Sequence, residues 1–261
     1  MSKFVKDLFG AFFSFFHVTG GIGYLTAQIS KELVTKPFYL NLTTEQIYLM
    51  GVRSFFLVFV TAISTGAVMA MQFGAGLEKF GGKPYIPAVI SLSIVRELGP
   101  VFASLVVAGR VGAGIASEIG SMVVTQQIDA IRALGTSHIK KIVIPRVLAL
   151  LIALPLLSIV AIILGVFGGF LVGVTQLSID PGFYYAKVIE TLKLHDFAMS
   201  LGKTIFFSLA ISIPSCYFGL TVKGGTKGVG IVTTKAVVTG SILIFLSDFV
   251  LTKLFLWMIY R

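Results

Sequence analysis

The stretch IVIPRVLALLIALPLLSIVAIILGVFGGFLVGV, residues 142–174, carries one charge, Arg146, in 33 residues. About 20 consecutive apolar residues suffice for a helix to cross a bilayer. This run therefore reads as a membrane span, long enough to tilt, kink or project beyond the lipid. Four more runs of spanning length flank it, at about 54–73, 86–116, 197–222 and 236–259. The second is also over-long and is interrupted by Arg96, Glu97 and Arg110. Composition agrees, with 56% hydrophobic and 12% charged residues in 261, where a soluble domain carries about 25% charged residues. Mean hydropathy is +0.97. The predicted fold is an all-α integral membrane protein of about five transmembrane helices, with no linker or low-complexity tract to divide the chain. Residues 1–261 read as one domain, with an amphipathic N-terminal region at 1–40 and the bundle at 45–261.

A net charge of +10 raises nucleic acid as a partner. The basic residues are instead scattered between apolar runs, the pattern of Lys and Arg gathered at cytoplasmic helix ends. With the N-terminus inside, the inner segments hold Lys3, Lys6, Lys31, Lys36, Arg53, Arg132, Lys140, Lys141, Arg146, Lys223, Lys227 and Lys235. The outer ones hold Lys79, Lys83, Lys187, Lys193, Lys203 and Arg261. The excess predicts N-in and C-out. The outer 178–196 segment, with Pro181 and the acidic Asp180, Glu190 and Asp196, reads as a short extracytoplasmic helix.

At the N-terminus Lys3, Lys6, Asp7, Gly10, Ser14 and His17 form a narrow polar stripe against Phe4, Phe9, Phe12, Phe13 and Phe16. This predicts a helix lying in the membrane interface. A signal peptide fits less well, because the stripe runs through its would-be apolar core and no A-x-A-like site follows. Gly20, Gly21 and Gly23 are expected to interrupt this helix. Thr43 and Gln46 have capping-box spacing before the first span. The single Cys216 forms no internal disulfide, and His17, His138 and His195 are too scattered to suggest a metal site.

The segment RELGPVFASLVVAGRVGAGIASEIGSMVVTQQIDAIRALG, residues 96–135, is the unusual part. Ionisable side chains within a span are costly unless they pair or face water. Arg96, Glu97, Arg110 and Glu118 are thus expected to face the bundle interior, a cavity or the interface. Adjacent residues on a helix point about 100° apart, so Arg96 and Glu97 each need their own partner. Whether these charges hold helices together or line a substrate path is open at this point. Pro100 removes a backbone donor and predicts a bend. Between residues 123 and 134, Val124, Ile128, Ile131 and Leu134 form an apolar stripe with Gln127, Asp129 and Arg132 off it, and Gly135 is a natural stop. Such a helix either docks into a partner's groove or covers the base of the bundle. Gly165, Gly168, Gly169 and Gly173 lie near one helical face and predict close packing, inside the bundle or across a homodimer.

RELGP at 96–100, AGRVGAGIASEIGSM at 108–122 and QIDAIRALG at 127–135 resemble the signature of the MlaE (YrbE-like) permeases, which serve Mce-associated ABC transporters. The resemblance continues through Pro145-Arg146, LPLL at 154–157, the glycines at 168–174 and DFVLT at 248–252, covering about residues 45–255. One departure is Gln126, where many relatives carry Glu. The resemblance implies a homodimer working with a cytoplasmic ATPase that binds ATP and Mg, an Mce-domain periplasmic hexamer and often a STAS-domain protein. It implies transport of glycerophospholipid between the inner membrane and a periplasmic carrier system, maintaining outer-membrane asymmetry. The 123–135 helix would be the coupling helix, with Val124, Gln127, Ile128, Asp129, Ile131, Arg132 and Leu134 facing the ATPase. The lipid cavity at the dimer seam would be lined by Val68, Met69, Met71, Gln72, Phe73, Leu92, Arg96 and Glu97, where Met suits variable acyl chains.

Two rival classes are weaker on the residues. The chain lacks a P-loop, since Phe197 stands where a glycine is needed before Gly202-Lys203-Thr204. A self-sufficient secondary transporter or channel favours an internal repeat of broken helices around a midplane ion site. No convincing repeat occurs, and Asp248 reads as the only acidic residue deep in the last three spans. An intramembrane enzyme needs a catalytic constellation, and His195-Asp196 is adjacent rather than spaced.

Overall fold

The computed structural model describes the backbone of residues 2–36 and 39–259, and the side chains of residues 16–36 and 39–258. The side chains of the phenylalanine-rich face before Phe16, and Pro37 and Arg261, lie outside the described set. The described residues are predominantly helical, with no strand among them. Five helical stretches are long and apolar enough to cross a membrane: Leu40–Phe80, Lys83–Val124, Ile139–Thr175, Leu194–Leu220 and Gly225–Met258. The protein is an all-α membrane protein with five candidate spans, as its composition predicts.

Before the spans, α1 (Ser2–Leu33) is one continuous helix. The expected break at Gly20, Gly21 and Gly23 does not occur. Gly21 instead meets the ring of Tyr217, which leaves no room for a β-carbon. The first span joins α2 (Leu40–Met50) to α3 (Phe55–Leu77) through a 3-10 turn at Val52–Ser54. The capping box expected at Thr43 is absent, because α2 starts earlier and the Thr43 hydroxyl donates back to the Tyr39 carbonyl at 3.3 Å.

The second span is α4 (Ile86–Ser93), α5 (Gly99–Val107) and α6 (Ala113–Val124), joined by π-helical turns at Ile94–Leu98 and Ala108–Gly112. Pro100 sits in the first turn of α5, directly after a π turn. Its missing donor is thus absorbed where the helix has already widened. After α6, Gln126 adopts a left-handed conformation with φ of 60° and separates α7 (Gln127–Ala133) from the span. Residues 123–134 are therefore not one helix, and Val124 belongs to the end of α6. Gly135, with φ of +71°, ends the turn after α7 as expected.

The third span is α8 (Ile144–Thr175), preceded by a third π turn at Ile139–Val143. α9 (Pro181–Thr191) follows, its start capped by Asp180, which accepts the Phe183 N–H at 2.7 Å. α10 (Leu194–Leu220) and α11 (Gly225–Ile259) complete the bundle.

α8 is the central mast, and α3 packs along it more extensively than any other pair of helices. The glycine face on α8 explains this contact. A β-carbon on Gly168 would strike the Ile63 carbonyl, and one on Gly66 the Gly165 carbonyl. Gly169 and Gly173 receive Tyr184 of α9 in the same way. These glycines therefore pack within the chain. Tyr184 is buried edge-on to Phe170 at 5.4 Å, and burial pushes its phenol pKa up. The outer surfaces of α3, α8 and α11 expose Phe56, Ile163, Phe245, Leu246 and Phe249. Such a surface suits hydrocarbon rather than water.

Candidate functional site

Two arrangements stand out, a buried ion network and the projecting α7. The network begins at the π turn Ile94–Leu98, which carries Arg96 and Glu97 in the second span. A π turn widens the helix and re-aims its side chains, a feature frequent at functional sites. Arg96 Nε donates to Asp196 Oδ1 at 2.7 Å, and Asp196 is fully buried at the first turn of α10. The second carboxylate oxygen of Asp196 accepts the Lys193 N–H at 2.9 Å, and His195 Nε2 lies 3.4 Å from the first.

Glu97 turns to Lys203, whose Nζ lies 2.7 Å from Glu97 Oε2 and 2.9 Å from Asp248 Oδ1. Lys203 also donates to the Arg96 carbonyl at 3.1 Å and is fully buried. The Asp248 contact is an ion pair without hydrogen-bond alignment, so that oxygen is attracted but not capped. Thr252, one turn beyond Asp248 on α11, donates to Glu97 Oε1 at 3.2 Å. Three helical segments are thus tied together by two cations and three carboxylates. Arg96 and Glu97 each have a separate partner, as their angular separation requires.

The sequence reading missed half of this network. Lys203, expected in an outer segment, and Asp196, expected in the outer 178–196 segment, are both fully buried. They are seven positions apart, which returns to the same helical face. Asp248 and Thr252 are four apart and also share a face. That periodicity was the available signal.

A second charged pair lies nearer α7. Glu118 Oε1 meets Arg146 Nη2 at 2.6 Å, and Arg146 is buried with Nη1 on the Ile142 carbonyl at 2.8 Å. Arg146, the one charge of the 142–174 run, is thus buried in the bundle with an acidic partner. Arg110, in the π turn Ala108–Gly112, donates to the buried Ser54 hydroxyl at 2.6 Å.

The eight residues predicted to line a lipid path fall into two groups. Val68, Met71 and Gln72 are exposed on α3, with Met69 and Phe73 partly covered. Leu92, Arg96 and Glu97 are partly exposed on the second span. On α7, Ile128 is buried and Ile131 packs partly against the core, while Gln127, Asp129 and Arg132 face outward. Leu134 departs from the predicted buried stripe and is 82% exposed. Val124 packs beside Ala116 and Val232. Arg132 reaches Asp129 at 3.4 Å and His138 at 3.2 Å. Burial, and then Arg132, lowers the His138 pKa, with Glu32 and Asp129 opposing. The Ser137 hydroxyl donates to Glu32, and Lys140 Nζ to the Lys36 carbonyl at 2.8 Å, fastening the end of α1 behind α7.

A five-span helical bundle with paired charges inside it, and a short detached helix at one end, defines the class of a multi-pass helical membrane protein. A family profile described as Permease MlaE matches residues 43–254. The chain belongs to the MlaE permease family and is an ABC transporter permease. It is 43% identical over 224 residues to a probable ABC transporter permease protein of Rickettsia typhi, covering 86% of each chain. A probable ABC transporter permease protein of Synechocystis is 36% identical over 238 residues, covering 91% of this chain and 89% of its own. The intermembrane phospholipid transport system permease protein MlaE of Haemophilus influenzae is 29% identical over 255 residues, covering 97% of each chain.

Proposed function

We propose that this chain moves glycerophospholipid between the inner membrane and a periplasmic carrier system, as the permease subunit of a transporter powered by a separate ATPase. The observation that carries the reading is α7. It is set off from the second span by the left-handed Gln126, held by one buried residue, and turns Gln127, Asp129, Arg132 and Leu134 outward. An exposed leucine among polar groups on a short helix suits a partner's groove. The near full-length likeness to a phospholipid transport permease supports lipid as the cargo.

In this reading two copies form a dimer in the bacterial inner membrane, with the N-terminus and α7 cytoplasmic. The partner ATPase binds ATP and Mg, and its closure pushes the two α7 helices together. The second and third spans flank α7 and carry that motion to the seam between the copies. Lipid is held there against Val68, Met69, Met71, Gln72, Phe73, Leu92, Arg96 and Glu97. An Mce-domain hexamer receives or supplies it on the far side, a STAS-domain protein attends the ATPase, and the cycle maintains outer-membrane asymmetry. Arg96, whose side chain is 27% exposed, offers its remaining guanidinium donors to a lipid phosphate.

The test is purification in mild detergent, which is expected to bring down an ATPase. Leu134→Asp is expected to leave the fold intact and lower ATPase recovery about tenfold, the cost of one lost apolar anchor. Undiminished recovery and lipid-stimulated ATP hydrolysis in the variant would remove α7 from the coupling role.

A further inference from the structure

α7 has little of its own to hold it in place. Its seven residues are too few for a helix to be stable in water by itself. Its start has no side-chain cap, and Gln126 before it is left-handed. Ile128 is its one buried residue. Past its end Gly135 takes φ of +71°, a conformation that glycine adopts freely. Such a helix can swing about its two ends unless something beyond Gly135 is fixed.

Ser137 is that fixed point. Its hydroxyl donates to the Glu32 carboxylate and accepts the Lys140 N–H at 3.4 Å. Its carbonyl accepts the Lys141 N–H at 3.2 Å. Ser137 thus joins the π turn at the foot of α8 to the end of α1. The next residue, His138, lies 3.2 Å from Arg132 Nη2 and carries the restraint into α7. Lys140 Nζ adds a second tie, to the Lys36 carbonyl at 2.8 Å.

Glu32 itself stands on a firm post. Leu25, Ile29 and Glu32 share one face of α1, and the first two are buried in the core that also receives Ile128 of α7. Gly21 closes on the Tyr217 ring of α10. α1 is therefore fastened to the bundle along the face that ends in Glu32. The carboxylate is only partly covered, so it adds little to that core. What it holds is the connection behind α7.

We propose that Glu32 is a positioning residue for α7, and that α1 is the brace against which α7 is held. With the brace in place, a push on α7 passes to the foot of α8. Without it, the same push turns α7 about Gly135. The use of that push in transport rests on the ATPase-driven reading above. The brace itself does not.

The test is hydrogen–deuterium exchange of the full chain in detergent, read over residues 134–138, where the Gly135 and Thr136 N–H groups bond the Arg132 and Ile131 carbonyls. Glu32→Ala is expected to speed exchange there about tenfold, the loss of one hydrogen bond to a charged group, with Tm unchanged. Glu32→Gln keeps an oxygen that accepts from Ser137 and is expected to restore most of the protection. The double variant Glu32→Ala, Ser137→Ala is expected to exchange no faster than Ser137→Ala alone. In the complex with its ATPase, Glu32→Ala is expected to lower the lipid moved per ATP hydrolysed by about threefold or more, and Glu32→Gln to recover it. Wild-type exchange in Glu32→Ala, or a double variant faster than Ser137→Ala, would overturn the brace. Faster exchange with an unchanged lipid yield per ATP would overturn its positioning role in coupling. A wild-type complex that moves no lipid with ATP would defeat the transport reading, and the exchange result would still decide the brace.

Discussion

Lys203 shows what one residue contributes to this fold. It is a cation with no exposure, between the carboxylates of Glu97 and Asp248 and against the Arg96 carbonyl. Burying ions is expensive, and pairing recovers the cost only while every partner is present. Lys203→Met is therefore expected to destabilise the bundle by about 3–5 kcal/mol, because two carboxylates lose their cation. The triple change Glu97→Gln, Lys203→Met, Asp248→Asn removes the charges together and is expected to recover most of that loss. Thermal unfolding in one detergent, followed by size-exclusion chromatography, checks both. A single variant as stable as the wild type would show that water or lipid compensates the carboxylates. The same residue shows where sequence reading stops. Arg96 and Glu97 could be seen to need separate partners from their own spacing. Which residues answer them depends on how α10 and α11 rotate against the second span, and that rotation is set by packing.

At the scale of elements, the spans were legible because hydrocarbon is an undemanding solvent to recognise. Any run apolar enough and long enough must lie in it. The joints inside them were not. Three π turns, at Ile94–Leu98, Ala108–Gly112 and Ile139–Val143, have no composition of their own, since each costs one displaced hydrogen bond and is decided by which side chains must be aimed where. Glycines were ambiguous for a related reason. Gly20, Gly21 and Gly23 looked like a break and are helical, while Gly135 looked like a stop and is one. The glycine face of α8 was legible as a contact, but only the structure assigns it to α3 of the same chain. Its consequence is testable. Gly168→Leu must push the Ile63 backbone away, and a backbone has less room to yield than a side chain. The expected cost is at or above the roughly 1–3 kcal/mol of an overpacked core. Gly20→Leu, where a β-carbon meets open space, is expected to leave melting unchanged. Equal melting of the two variants would mean that α3 and α8 do not cross at these glycines in the membrane.

For the whole molecule, the decisive question is which end faces which compartment. α7 and α9 are separated by α8, whose 32 residues rise about 48 Å, more than a hydrocarbon core. The two short helices must therefore lie on opposite sides. The α7 end gathers Arg132, Lys140 and Lys141 with the end of α1, through the Lys140–Lys36 and Ser137–Glu32 contacts. The α9 end balances Lys187 against Glu190 at 2.9 Å. That asymmetry favours a cytoplasmic α7. Because the sole cysteine, Cys216, is buried, introduced cysteines read out topology with little background. Tyr185→Cys on α9 is expected to react with a membrane-impermeant maleimide in intact spheroplasts. Leu134→Cys is expected to react only after the membrane is opened. The reverse pattern would turn α7 away from any cytoplasmic ATPase and remove the coupling mechanism while keeping the bundle. Labelling of both from one side would mean that α8 does not cross, and the solvent argument beneath the fold would fail with it.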